Sequence, residues 1–243
     1  MNLYRKELGY YLNNPIGYII IVLFAAVANF LYVKDIFLVG SASMKPFFAY
    51  LPWIFMIFIP ALTMRIISEE KRTNTIELLL SLPVSETQII LAKFLALLTL
   101  VLIGLVLTLF LPISLYVLKG AEDFGSTNLY AMLLPEIIAG YIGSLFLAGL
   151  YIAISMFFSS QTKNQVVAFL ISVLVIFFLT VISTDFVGTL LPGFVQDSLI
   201  YFTPQYHLQN FIKGVLDLRS FVYFAGGIII FLLFTIIDLE KRV

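Results

Sequence analysis

IILAKFLALLTLVLIGLVLTLFLPISLYVL, residues 89–118, runs for 30 positions with one charged side chain, Lys93. About 20 apolar residues in a helix cross the hydrocarbon core of a bilayer, so this stretch alone predicts a membrane-spanning helix. Apolar runs of similar reach lie on both sides of it, at residues 16–33, 47–67, 129–158, 165–182 and 221–237. The composition agrees: 61% of the 243 residues are hydrophobic, 12% are charged, and the mean hydropathy is +1.06. Such a chain falls outside the soluble class. The expected fold is all-α and polytopic, with six transmembrane helices forming one membrane domain over residues 1–243. Pro52 and Pro60 inside the second run predict a bent helix whose freed carbonyls are covered by neighbours. Gly140, Gly143 and Gly149 in the fourth predict close helix contact.

The flanks complete the topology. MNLYRKELGYYLN, residues 1–13, is too charged for a secretory signal and no small-residue cleavage pattern follows it, so the N-terminus is expected to be retained. At 100° per residue, Leu3, Tyr4, Leu8, Tyr11 and Leu12 share one half of a wheel, and Asn2, Arg5, Lys6, Gly9 and Asn13 the other. Residues 1–14 therefore read as an elbow helix lying in the interface, stopped by Asn13-Asn14-Pro15. Residues 183–220 are too polar to cross and too apolar for a free loop, and are predicted to form short outer interfacial helices. Orientation follows from lysine and arginine. One side holds nine (Arg5, Lys6, Arg65, Lys71, Arg72, Lys93, Lys163, Lys241 and Arg242), the other five (Lys34, Lys45, Lys119, Lys213 and Arg219). Both termini are expected in the cytoplasm.

Several chemistries are disfavoured. Fourteen basic and 14 acidic residues cancel, leaving no basic excess for nucleic acid. There is no cysteine and one histidine, His207, so neither a metal set nor a nucleophile–base pair can be assembled around them. In its interfacial stretch His207 reads as solvated or headgroup-contacting. No GxxxxGK loop is present, so nucleotide energy must come from another subunit.

The informative polar stretch is RIISEEKRTNTIELLLSLPVSETQ, residues 65–88. Arg65 and Glu69 stand four apart, as an ion pair would on a second helix continuing past the membrane. Asn74-x-x-Glu77 and Ser85-x-x-Gln88 each fit a helix-start box. Between them lies a helix of about two turns, closed by Pro83, that exposes Leu78, Leu79, Leu80 and Leu82. An exposed apolar cluster marks a binding surface or an anchor on lipid headgroups, and periodicity leaves both open.

Here the sequence also resembles a known family. PALTMRIISEEKRTNTIELLLSLPVSETQIILAKFLA, residues 60–96, is similar to the signature region of ABC-2 type permeases, the membrane subunits of ATP-binding-cassette exporters. KELGYYLNNPIGYII at the start, GYIGSLFLAGLYIAISMFFSSQTKNQVVAFL at 140–170 and PQYHLQNFIKGVLDLRSFVYF at 204–224 resemble the gliding-motility and nitrous-oxide-reductase maturation permeases among them. The resemblance implies two permease copies, or this chain with a similar partner, above two cytoplasmic ATPase subunits. ATP and Mg would belong to those ATPases, with no cofactor bound by this chain. It also implies that residues 74–85 are a coupling helix in a cleft of the ATPase, with Glu69, Glu70, Asn74, Glu77, the four leucines and Pro83 at or beside the contact. Ser160 and Lys163, within residues 159–165, would form a second, smaller contact. The resemblance would lead one to expect glycine at Asn74 in many relatives, and asparagine, as a capping residue, also suits a helix start.

Two carboxylates stand out. Glu7 falls inside the apolar face of the elbow helix, where an ionised group facing hydrocarbon is costly. It calls for a cation, with Arg65, Lys71 or Arg72 as candidates, or else it snorkels to the headgroups. Glu136 follows Pro135. If a helix starts there, Glu136 is a first-turn acid favoured by the dipole; if it starts at Leu129, Glu136 is buried and a candidate for a translocation path or dimer seam. The reading these features support is a permease subunit, not itself an enzyme, exporting across the cytoplasmic (inner) membrane. The alternative is a scaffolding subunit that transmits force to an extracytoplasmic partner while nothing crosses. An ion-driven carrier would need several intramembrane acids or paired broken helices, and Glu136 alone argues against it.

Overall fold

The computed structural model describes residues 3–39, 44–75, 84–110, 112–113, 127–184 and 199–240. Among them there is no strand. The helices are α1 (Leu3–Leu12), α2 (Pro15–Val39), α3 (Lys45–Thr63), α4 (Ser68–Arg72), α5 (Glu86–Thr108), α6 (Thr127–Gln161), α7 (Gln165–Ile182), α8 (Pro204–Ile212) and α9 (Leu218–Glu240). Six stretches are long and apolar enough to cross a membrane: Gly17–Lys34, Lys45–Arg72, Glu86–Thr108, Pro135–Gln161, Gln165–Ile182 and Leu218–Glu240. The all-α, six-span architecture is thus the observed one. Glu77, Leu78, Leu79, Leu80, Leu82 and Pro83 lie outside the described residues, as do the far end of the third run and most of 183–198.

Long helix α6 is the hub, touching α3, α5, α7, α8 and α9. Most of its span and of those of α3 and α5 is buried, against a third or less of the spans of α2, α7 and α9. Hydrophobicity cannot drive this sorting in lipid, where tails are as apolar as leucine, so close packing has to. Two glycines permit it. A Cβ on Gly140 would stand 2.3 Å from the Phe48 ring of α3, and one on Gly143 would stand 2.5 Å from Phe211 Cβ of α8. Aromatic rings fill the same seam: Phe48 meets Tyr141 edge-on at 5.2 Å, and Phe211 meets Phe221 at 5.1 Å.

The boundaries have local causes. Ser85, extended at ψ 150°, takes the Gln88 amide on its hydroxyl at 3.3 Å and starts α5. Asn164 does the same for Val166 at 3.0 Å and starts α7. Helix α3 carries Pro52 and Pro60 in its interior and ends at Thr63, whose hydroxyl donates back to the Ile59 and Pro60 carbonyls. The second apolar run is therefore not one helix to residue 67, because a turn at 64–67 separates α3 from α4. The expected Arg65–Glu69 ion pair is not formed, although the Glu69 amide still donates to the Arg65 carbonyl at 3.3 Å. Glu69 instead faces Arg72 at 3.9 Å, a solvent-exposed contact of little energetic weight.

Candidate functional site

The break between α3 and α4 sits where four other helices converge. Its freed amides need acceptors in a region with little water, and Ser159 of α6 supplies one. Its hydroxyl oxygen accepts from the Ile67 and Ser68 amides at 3.3 and 3.2 Å and donates to the Met64 carbonyl at 3.2 Å. From α4, residues 70 and 71 point into the bundle and make its two buried ion pairs.

Lys93 of α5 lies between two carboxylates. Its Nζ donates to Glu7 Oε1 of α1 at 3.0 Å and to Glu70 Oε1 of α4 at 2.6 Å, and its side chain is 2% exposed. Lys71 of α4, equally buried, donates to Asp238 Oδ2 of α9 at 2.9 Å and to the Ser160 carbonyl of α6. Tyr11 adds a tie from α1 to the end of α3, donating from its hydroxyl to the Leu62 carbonyl at 3.2 Å. Burial, reinforced by the Glu7 carboxylate, pushes the Tyr11 phenol well above its ordinary pKa, which keeps it a donor. One five-residue helix is thus fastened through charge to α1, α5, α6 and α9.

Several sequence expectations are corrected by this geometry. The cation beside Glu7 is Lys93, not Arg65, Lys71 or Arg72. Helix α1 turns Glu7 and Tyr11 inward onto the bundle, and Lys71 and Arg72 are engaged elsewhere. Glu70 points inward to Lys93, away from any outer partner. Ser160 is fully buried and so unsuited to an outer contact, whereas Lys163 is exposed in the turn between α6 and α7. Asn74 has φ +57°, the left-handed region, whereas a helix N-cap is normally extended. It follows α4 as a helix-terminating residue, and after glycine asparagine is among the residues that best tolerate that conformation. Asn74→Gly is therefore expected to leave thermal stability within a few tenths of a kcal/mol, while Asn74→Val costs about 1–2 kcal/mol; thermal unfolding of the purified protein distinguishes them.

At the opposite end of the bundle, Glu136 meets Lys45 Nζ at 3.0 Å, joining α6 to the start of α3. Because α6 begins at Thr127 and runs through Pro135, Glu136 is not a first-turn acid. Nor is it sealed in, its side chain being 24% exposed. His207 is buried, not solvated. Its Nε2 donates to the Tyr201 carbonyl at 3.1 Å, which leaves Nδ1 to accept from the Ser220 hydroxyl at 3.2 Å. The ring stacks on Tyr223 with centroids 4.0 Å apart, and burial lowers its pKa. The result is a satisfied core histidine holding α8 against α9.

Sequence reasoning missed Lys93 and Asp238 as the partners. The signal for Lys93 was present, because an ionisable residue inside a membrane run calls for a partner and a role. Asp238 gave none beyond its place near the last span.

A six-span helical bundle with α1 against α5 and a charged cluster around α4 is the structural class. The profile for ABC-2 family transporter protein matches residues 4–237, and the chain belongs to that family. It is accordingly a permease subunit of an ATP-binding-cassette transporter and a multi-pass membrane protein, and membership implies ABC ATPase subunits as partners. Among curated proteins none matches the chain.

Proposed function

We propose that this chain couples ATP hydrolysis by two cytoplasmic ATPase subunits to export across the inner membrane, paired with a second permease. Residues 74–85 dock the ATPase, with Glu69 beside the contact and Lys163 in a second, smaller one. Residues 3–12 act as the elbow, and both termini face the cytoplasm. The observation that carries the reading is the fastening of α4, which immediately precedes the docking segment. A displacement delivered after Thr75 reaches α4 first. Lys71–Asp238 and Glu70–Lys93–Glu7 then pass it to α9, α5 and α1. Buried pairs transmit force because separating them leaves uncompensated charge, so the helices move as a unit.

Two experiments test this. Glu77→Ala should leave the complex assembled but lower substrate-stimulated hydrolysis, since an acid near the start of the proposed docking helix contributes about 0.3–1 kcal/mol through the helix dipole; unchanged stimulation would contradict the role of Glu77. The orientation is tested separately in the cysteine-free chain, with Asp123→Cys and Val243→Cys probed by an impermeant thiol reagent on intact cells. Labelling at 123 and protection at 243 is expected; the reverse would overturn the orientation.

A further inference from the structure

At the end of the bundle opposite α4, the segments that flank α8 expose large apolar side chains. Phe202 is 72% exposed and Leu218 75%, and Val215 and Leu216 are each more than half exposed. Their backbone is tied down on every side. The Tyr201 carbonyl accepts from His207 and the Phe202 carbonyl from the Tyr223 hydroxyl. The Val215 amide donates to the Asn210 carbonyl, and Asp217 Oδ1 accepts the Arg219 amide where α9 starts. An ordered backbone therefore holds these side chains out of the bundle, although withdrawing each from water would gain about 1.5–3 kcal/mol.

Two observations say what covers them. From Leu218 the exposed face continues down α9 through Val222, Ala225, Ile229 and Leu233, the spacing of a single helix face, so the patch is the end of the surface that the last span turns outward. The depth agrees. Asp238, paired with Lys71 in the cluster around α4, lies near the far end of α9, and at 1.5 Å per residue the helix from 218 to 238 covers about 30 Å, the thickness of the hydrocarbon core. Leu218 thus stands at one edge of that core when Asp238 stands at the other. Lys213, Arg219 and Tyr201 are exposed around it, and long basic side chains and tyrosines suit the headgroup layer.

We propose that Phe202, Val215, Leu216 and Leu218 form an apolar collar set into the lipid leaflet on the α8 side, with acyl chains as its partner and Lys213 and Arg219 at the headgroups. The outer face of α8, where Gln209 is exposed, stays in water. The collar anchors both flanks of α8 beside α9. It lies in that leaflet whichever side the termini face, and so does not depend on ATPase coupling.

The test uses the full-length chain, which has no cysteine, with Phe202→Cys, Leu216→Cys or, as the reference in water, Gln209→Cys. Each variant carries a nitroxide and is reconstituted into phosphatidylcholine vesicles. All three side chains are exposed, so the label displaces nothing in the core. Collisions with oxygen, which concentrates in the bilayer, are compared with those of a water-soluble nickel chelate. The oxygen-to-nickel ratio at 202 and 216 is expected to exceed that at 209 about tenfold, equivalent to about 1.4 kcal/mol of partition free energy. Ratios at 202 and 216 equal to that at 209 would overturn the proposal by placing the patch in water. So would exclusion of both reagents, which would make the cover a protein, either a second copy or another partner.

Discussion

Lys93→Met is expected to be the most damaging single change in the bundle, costing about 3–5 kcal/mol because it leaves buried charge without its partner. Among the described residues, Lys93 is the cation in direct contact with both Glu7 and Glu70, at 3.0 and 2.6 Å. Without it two carboxylates face each other where water is scarce, and like charges at that range cannot both stay ionised cheaply. Methionine fills the volume, so the loss is electrostatic. Glu7→Gln should be milder, about 1–2 kcal/mol, since Glu70 still neutralises Lys93 and the glutamine oxygen still accepts. Glu7→Lys should be worse than Glu7→Gln, because it sets a second cation against the first. Thermal unfolding of the purified variants gives the order. If Lys93→Met melts with the wild type, the cluster does not hold the helices.

Leu79→Asp is expected to abolish co-purification of the ATPase. Residues 78–82 put four leucines into a polar stretch between α4 and the helix start at Ser85, and truncating a buried anchor at an interface costs a few kcal/mol. A carboxylate must in addition be desolvated against an apolar cleft, so charge should hurt more than Leu79→Ala. Insertion should be unchanged, because residue 79 falls in the polar stretch between two apolar runs of the sequence. Binding at the wild-type level in Leu79→Asp would make the leucines a headgroup anchor.

The architecture was legible because its signal is long: six apolar runs, bounded by polar stretches, leave a chain few alternatives. The start of α5 at Ser85 was equally readable, since a capping box is local. What could not be read was which charges meet. Glu7 visibly needed a cation, but the choice of Lys93 depends on α1 lying across α5, a contact between residues 86 positions apart. The pairing of Lys71 with Asp238 spans 167 positions. Asn74 was misread for the opposite reason. Its composition suits both a helix start and a helix end, and only the backbone angle distinguishes them. The run to residue 67 was read as one bent helix because its apolar stretch reaches that far, while the turn at 64–67 has its Ile67 and Ser68 amides taken up by Ser159, far along the chain.

The central claim, that residues 74–85 seat in the ATPase and move α4, is tested most directly by crosslinking from one position. The chain has no cysteine, so Leu79→Cys carrying a short photoreactive maleimide reports on that side chain alone. In the native complex it is expected to crosslink to the ATPase subunit, with a yield that changes between the nucleotide-free and ATP-trapped states. Crosslinking to lipid alone, equal in both states, would contradict the account.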